Sequence, residues 1–168
     1  MRPIRWEEHT VVPWRNGGGT TREIALRTGP GGAVLWRVSR AAIAADGPFS
    51  RFPGLDRILV PVAGEGLVLT VEGRERPTPP LAPVAFPGEA EVAARLTAGA
   101  VEAFNVMAAR GAWTASVEAV RGGRLELAGP GADLLHLTTG ESWLREGEAA
   151  ALDLPGGAAG VLARLRPL

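Results

Sequence analysis

The segment RILVPVAGEGLVLTVEG, residues 57–73, holds two short apolar runs separated by a Gly-Glu-Gly turn signal. In the second run Leu67, Leu69 and Val71 are apolar, whereas Thr70 and Glu72 are polar. Such alternation is typical of a strand with one buried face and one exposed face. The segment therefore predicts two strands joined by a tight turn.

The same rhythm extends along the chain in both directions. The 23 glycines and 14 prolines are scattered between apolar runs and do not collect in a linker. Short strands with regular turn signals are typical of an all-β barrel or sandwich. We predict little helix, although alanine is abundant, because the spacing of the turns outweighs helix propensity. The predicted strands cover residues 20–26, 34–41, 57–62, 66–72, 82–86, 91–96, 100–108, 114–120, 123–127, 133–138, 142–144, 148–152 and 160–165.

The chain of 168 residues suits one domain or two small halves that share a core, because domains commonly have roughly 100–200 residues. Residues 34–75 and 114–165 have a similar order of strands and glycine turns, without a strict sequence repeat. We predict one compact unit, residues 1–168, with approximate halves 1–111 and 112–168.

Composition narrows the classes of partner. The net charge is zero and the charges are interleaved, so the chain lacks the basic stripe of a nucleic-acid-binding protein. No apolar run resembles a signal peptide or a membrane span, and we expect a cytoplasmic protein without a membrane partner. All 18 basic residues are arginine. Any anion site must therefore use guanidinium forks or backbone N–H groups.

The segment PWRNGGGTTRE, residues 13–23, is a candidate anion-binding loop. Gly17, Gly18 and Gly19 leave the backbone bare, so successive N–H groups can form a nest, with Asn16 and Thr20 adding side-chain contacts. Its spacing matches neither a P-loop nor a dinucleotide fingerprint. The alternative is a surface hairpin around an Asn-Gly turn.

Three other segments place polar side chains in or beside predicted strands. Arg37 and Ser39 share one face of a strand and Trp36 and Val38 the other, but the pattern alone does not decide which face is buried. Arg57 begins a predicted strand and directly follows a loop, residues 46–56, that is rich in turn-forming residues. Asn105 interrupts an apolar strand and must face a structural partner or a ligand, because buried amides are hydrogen-bonded.

Metal-ligating and nucleophilic residues are scarce. Cysteine is absent, and of the two histidines we predict that His9 lies on the surface and that His136 is half-buried and structural. The four aspartates form no calcium-loop pattern, and no Gly-x-Ser-x-Gly elbow occurs. We therefore expect no metal and no cofactor. If two carboxylates act together in catalysis, Glu23 and Asp56 are the best candidates.

Together these segments resemble the HutD/Ves family. The resemblance rests on residues 13–24, on WRVS at 36–39, on DGPFSRFPGLDR at 46–57, on FPGE at 86–89 and on FNVM at 104–107, and it covers residues 1 to about 111. It implies a double-cupin, jelly-roll β-barrel or sandwich. It also implies a regulatory, ligand-sensing role in histidine utilisation, with formylglutamate-like carboxylates as ligands. The histidine and glutamate metal ligands of ordinary cupins are missing from residues 49–57.

The arginine residues and the family resemblance together predict a pocket that binds a small carboxylate, such as formylglutamate or urocanate, without turnover. A guanidinium group can bind a carboxylate through two parallel hydrogen bonds. The alternatives are a metal-independent isomerase or hydrolase of a small organic acid and a structural protein whose arginines are surface charges. By analogy with cupins, a homodimer is the expected assembly. The predicted ligand-binding residues are Trp14, Asn16, Gly17, Gly18, Thr20, Arg22, Arg37, Ser39, Phe52, Arg57 and Asn105.

Overall fold

The computed structural model describes residues 1–14 and 19–168, and their fold is all-β. Within these ranges helix is limited to two 3-10 segments, Trp6–Glu8 and Pro30–Gly32. No helix there has the length and apolar character needed to cross a bilayer. The strands are β1 (Arg2–Ile4), β2 (Thr10–Pro13), β3 (Gly19–Thr28), β4 (Val34–Ile43), β5 (Gly47–Pro48), β6 (Leu55–Ala63), β7 (Leu67–Val71), β8 (Arg74–Thr78), β9 (Val84–Pro87), β10 (Val92–Leu96), β11 (Val101–Ala109), β12 (Trp113–Leu127), β13 (Ala132–Leu137), β14 (Ser142–Glu146) and β15 (Ala150–Pro167).

The strands form three antiparallel sheets. The first has six strands in the order β2-β3-β4-β11-β6-β9, the second has four in the order β5-β10-β7-β8, and the third has five in the order β1-β14-β13-β15-β12. The six-stranded sheet is central, because apolar clusters join it to each of the other two. None of the three sheets closes on itself over residues 1–14 and 19–168, so the predicted all-β class is confirmed but a closed barrel is not.

The two faces of strand β4 are buried in two different hydrophobic cores. Trp36 and Val38 are buried in the cluster shared with the five-stranded sheet, and Ile43 is buried in the cluster shared with the four-stranded sheet. Because successive side chains of a strand point to opposite faces, each face of β4 packs on a different layer. Each fully buried large side chain contributes roughly 1.5–3 kcal/mol to stability.

The turn at residues 64–66 is the corner between two sheets. It leads from β6 in the six-stranded sheet to β7 in the four-stranded sheet. Gly64 and Gly66 have φ of 88° and 84°, and a Cβ at either position would lie 2.6 Å from a backbone carbonyl oxygen. Only glycine combines that backbone conformation with that proximity. The two runs that predict the fold thus belong to different layers.

Several strand boundaries differ from the prediction. Strands β12 and β15 are continuous, whereas the sequence predicts two strands in each, because Gly122, Gly123 and Gly157 produce a register shift in place of a break. Strands β1, β2, β5 and β8 are additional. They are short, or rich in charged residues and proline, so they lack the apolar alternation by which the other strands are recognised.

A buried ion triad lies in the five-stranded sheet. Asp133 is fully buried; one of its carboxylate oxygens accepts a 2.6 Å hydrogen bond from Nε of Arg145 and the other a 2.5 Å bond from Arg166. Arg145 also donates to the carbonyl oxygens of Gly129 and Gly147. The triad therefore fixes the open end of the β13–β14 hairpin, where Asp133 pairs with Arg145, to the end of β15.

Candidate functional site

A cavity of about 480 Å³ opens on the face of the six-stranded sheet opposite the five-stranded sheet. This volume is within the range of small-molecule sites, roughly 300–1,000 Å³. Apolar walls come from the sheet and from the segment after β5, with Trp14, Ile43, Phe49, Phe52 and Leu59 among them. The polar lining consists of Thr21, Arg37, Ser39, Ser50, Arg57 and Asn105.

The register of the sheet brings distant parts of the chain to this face. Arg37 on β4 and Arg57 on β6 are both cross-strand neighbours of Met107 on β11. In the adjacent row, Ser39 and Leu59 flank Asn105 in the same way. Directly opposed residues of antiparallel strands share a face. Two arginines, a hydroxyl and an amide therefore converge from three strands.

Arg57 is a buried cation in an aromatic cage. Its side chain is only 6% exposed, and three of the four phenylalanines of the chain surround the guanidinium. The guanidinium carbon lies 5.0 Å from the ring centre of Phe86, 5.1 Å from Phe52 and 5.8 Å from Phe49. Cation–π attraction of this kind stabilises a guanidinium without neutralising its charge.

Among the described residues, Arg57 donates one hydrogen bond to a neutral group and pairs with no carboxylate. One terminal nitrogen donates to the carbonyl oxygen of Ser50 at 3.1 Å, and Nε has no partner in the described part of the chain. Burial, reinforced by the nearby charge of Arg37, lowers the pKa of Arg57 to about 10. The group therefore stays charged at neutral pH. A buried cation without a counter-charge is costly, so the cavity attracts an anion.

Arg37 differs because it is already paired. Its Nε donates to a carboxylate oxygen of Glu23 at 2.8 Å, and both side chains are largely buried. The register of β3 against β4 places Glu23 opposite Ser39, on the cavity face, and a β-bulge follows between Glu23 and Ala25. Asp56, by contrast, alternates with Arg57 and binds Arg110, so Glu23 and Asp56 do not meet.

Neutral polar groups complete the cavity. The amide nitrogen of Asn105 donates to the carbonyl oxygen of Ala103 at 3.2 Å, so this side chain both satisfies the sheet and faces the cavity. The indole nitrogen of Trp14 donates to the hydroxyl of Thr21 at 2.8 Å, which fixes the ring as a wall.

The segment that carries Phe52 is held against the sheet by Gly88. The N–H of Phe52 donates to the carbonyl oxygen of Gly88 at 2.7 Å, and the N–H of Gly88 donates to that of Leu55 at 2.6 Å. A Cβ at position 88 would lie 2.1 Å from the carbonyl oxygen of Phe52. Arg110 braces the same region through Asp56 and Glu89. Backbone contact at Gly88 therefore sets the position of one cavity wall.

The predicted site residues fall into three groups. Trp14, Arg37, Ser39, Phe52, Arg57 and Asn105 all line the cavity. Thr20 and Arg22 do not, because they alternate along β3 with Thr21 and Glu23, whose face is the cavity face. Asn16, Gly17 and Gly18 lie outside the described residues.

The predicted ligand-binding residues did not include Thr21, Phe49 and Ser50, which line the cavity, and Glu23 was considered only as a carboxylate partner of Asp56. Phe49 and Ser50 lie within the segment 46–57 that carries the family resemblance, but they were not named as ligand-binding residues. Which face of the sheet Thr21 and Glu23 occupy depends on the pairing of β3 with β4. Register across a pair of strands is a tertiary property, so alternation within β3 alone gives two equal choices.

Arg22 belongs to a cluster on the opposite face. Its guanidinium lies 4.2 Å from the ring centre of Trp6, and the ring of Trp6 is tilted against that of His9 at 5.2 Å. His9 is 7% exposed, so the prediction that it lies on the surface is wrong. The indole of Trp6 covers it, although the sequence places His9 between charged and polar residues.

His136 is fully buried in the same cluster, whereas the sequence predicts a half-buried position. Arg40 donates to its Nε2 at 3.1 Å, so Nδ1 carries the proton toward the hydroxyl of Ser142 at 2.8 Å. The ring stacks on Phe104, and Arg40 also binds Glu102. Burial, followed by the charges of Arg40 and His9, lowers the pKa of His136 to about 3.

Acid is expected to destabilise the fold through His136. The unfolded chain takes up a proton near pH 6.5, whereas the folded chain does not until about pH 3, so stability is lost as the pH falls through that interval. The substitution His136→Gln removes this titration. Urea unfolding should show the stability gap between wild type and variant narrowing by about 2 kcal/mol from pH 7 to pH 4.5. A constant gap would contradict the assigned neutral state.

The cavity lining does not match a cupin metal site. Within residues 1–14 and 19–168, no group of three or more histidine, aspartate or glutamate side chains is arranged to hold a metal ion. Apart from its two arginines, the polar side chains of the lining are hydroxyls and an amide, which suit hydrogen bonding to an organic ligand better than tight coordination of a transition metal.

Comparisons with known proteins agree on one family. A family model described as HutD matches residues 6–163. An uncharacterised 21.2 kDa protein in the hutC 3′ region of Pseudomonas putida is 38% identical over 109 residues, which span 64% of this chain and 57% of that protein. The chain thus matches less than two thirds of the length of that relative.

Solved structures extend the match to nearly the whole chain. HutD from Pseudomonas fluorescens SBW25, in a formate condition, is 30% identical with a TM-score of 0.84, covering 99% of this chain and 98% of that one. A conserved protein of unknown function from Pseudomonas aeruginosa is 28% identical with a TM-score of 0.88, covering 98% of both chains. A cupin 2 conserved barrel domain protein from Leptotrichia buccalis shares the fold alone, at 11% identity and a TM-score of 0.54, over 99% of this chain and 96% of that one. With its cupin-like fold and a model match across residues 6–163, the chain belongs to the HutD family.

Proposed function

We propose that this protein binds a small carboxylate in the cavity without transforming it, and that binding serves a regulatory role in histidine utilisation. The observation that carries the proposal is Arg57, a guanidinium caged by aromatic rings inside a cavity and unpaired with any carboxylate among the described residues. A bound carboxylate would supply the missing counter-charge through charge-assisted hydrogen bonds.

The family context supports the choice of ligand class. The HutD family is linked to a histidine utilisation locus, and the relative from Pseudomonas putida lies in the hutC 3′ region. The related HutD from Pseudomonas fluorescens was studied in a formate condition, and formate is the smallest carboxylate. Formylglutamate and urocanate are therefore the first acids to test.

Calorimetric titration tests the proposal directly. The protein is titrated with N-formylglutamate, urocanate and formate, and in parallel with formamide as a neutral control. We expect saturable binding of at least one acid and none of formamide, because only an anion neutralises Arg57. The absence of heat with every acid would overturn the proposal. The same mixtures examined by NMR for product distinguish binding from the alternative, a metal-independent isomerase or hydrolase.

Other features of the proposal follow from the sequence. We propose a double-cupin arrangement in a single unit, with halves near residues 1–111 and 112–168, a cytoplasmic location and assembly as a homodimer, with neither nucleic acid nor membrane as a partner. Size-exclusion chromatography with light scattering measures the oligomeric state, and a monomer at micromolar concentration would contradict the dimer.

A further inference from the structure

We infer that Glu23 determines the charge of the ligand: by neutralising Arg37, it makes the cavity selective for a monocarboxylate over a dicarboxylate of the same shape. This inference rests on the proposed function and narrows it. Its basis is the different pairing of two arginines that line one cavity.

The two arginines are close but not equivalent. Both are cross-strand neighbours of Met107, and the charge of Arg37 is felt by Arg57. Arg37 donates to Glu23 at 2.8 Å, whereas Arg57 donates to the neutral carbonyl oxygen of Ser50. Within the described part of the chain, the pocket with its paired Glu23 therefore carries one net positive charge.

Charge balance then discriminates between ligands. One carboxylate on Arg57 brings the site to neutrality. A second carboxylate in the same cavity would find Arg37 already occupied and would lie near the negative charge of Glu23. Like charges in a partly buried site repel more strongly than in water, because the effective dielectric constant is lower.

The remaining groups that line the cavity suit an uncharged portion of the ligand. Ser39, Asn105 and Thr21 offer hydroxyl and amide groups, and aromatic rings form the walls. A ligand with one carboxylate, one amide or similar neutral polar group and a short apolar link matches these groups. A buried amide that meets such partners is satisfied, whereas a carboxylate there loses its hydration without gaining a cation.

Matched ligands that differ by one charge test the inference. N-formylglutamine and N-formylglutamate have nearly the same shape, as do glutaramate and glutarate. Calorimetric titration of the wild type should show each monoamide binding about tenfold or more tightly than its dicarboxylate counterpart. Tighter binding of the dicarboxylates would overturn the inference.

The variant Glu23→Gln assigns the preference to one residue. Glutamine keeps an oxygen that accepts from Nε of Arg37 but removes the charge, so Arg37 becomes available to a second carboxylate. We expect the ratio of dicarboxylate to monoamide affinity to rise by about tenfold or more. The control Glu118→Gln removes the negative charge of the ion pair with Arg164 on the five-stranded sheet and should leave the ratio unchanged. Thermal melting and circular dichroism verify that both variants fold.

The outcomes separate this inference from the proposed function. Binding of acids with a ratio that does not change in Glu23→Gln overturns the role of Glu23 and leaves carboxylate binding intact. The absence of binding by every acid, in the wild type and in both variants, overturns the proposed function and this inference with it.

Discussion

Replacing Arg57 with methionine is expected to weaken carboxylate binding strongly while leaving the ligand-free protein as stable as the wild type, or more stable. Methionine has a similar length and no charge, and three phenylalanine rings already surround the position. Exchanging a buried ion for an apolar side chain is often neutral or stabilising by about 1–4 kcal/mol. Removing one partner of a buried charge pair weakens binding by about 2 kcal/mol or more, at least roughly thirtyfold.

The opposite signs of these two effects distinguish a binding residue from a structural one. Calorimetry measures affinity for the acids, and urea unfolding without ligand measures stability. Arg57→Lys should bind with intermediate affinity, because an ammonium lacks the paired donors of a guanidinium. The exposed pair of Arg124 with Asp153 supplies the control Arg124→Met, which should change neither quantity appreciably. Wild-type affinity in Arg57→Met would exclude Arg57 as the carboxylate contact.

The substitution Asp133→Asn is expected to destabilise the protein by about 3–5 kcal/mol, because Arg145 is then buried without its counter-charge. Arg145 and the fully buried Asp133 form the centre of the triad, and Arg166 loses its partner as well. Urea unfolding followed by tryptophan fluorescence measures the change. The surface variant Asp153→Asn should lose less than about 1 kcal/mol, since exposed pairs contribute little.

A double substitution separates the penalty of an orphaned charge from the net value of the pair. Asp133→Leu combined with Arg145→Met removes both members, so no central ion is left unpaired. We expect the double variant to be more stable than Asp133→Asn alone, because replacing a whole buried pair by apolar groups avoids the cost of desolvation. A double variant less stable than the single one would show that the pair itself carries the stability of the β13–β14 hairpin.

The sequence predicted the parts of the fold that are strongly alternating or strongly apolar. Residues 57–63, 67–71 and 101–108 lie in strands, because their apolar runs are buried between the layers. The short β5 and the charged β8 lacked that signal. The glycines of β12 and β15 suggested turns, but a glycine inside a long hairpin can equally form a bulge, and tertiary pairing decides between the two.

The candidate site was predictable where a polar residue interrupts a strand that is otherwise buried. Asn105 was recognisable for that reason, whereas the alternation around Arg37 and Ser39 did not decide which face of the strand is buried; all three line the cavity. The pairing of Glu23 with Arg37 was not recognisable, because it depends on the register in which β3 pairs with β4. The identity of the paired arginine therefore required coordinates.

One face of β4 and β11 packs on the five-stranded sheet, and the other lines the cavity and packs on the four-stranded sheet. Core packing and ligand binding therefore depend on the same strand register. A shift of β4 by one residue would turn Arg37 and Ser39 toward the apolar layer and Trp36 toward the cavity, and the same shift of β11 would turn Asn105 away from the cavity. We therefore expect a change of chain length in these strands that no bulge absorbs to disturb both the core packing and the cavity. We expect differences of ligand preference within this scaffold to arise from exchange of side chains at fixed positions, and differences of length to lie in the loops.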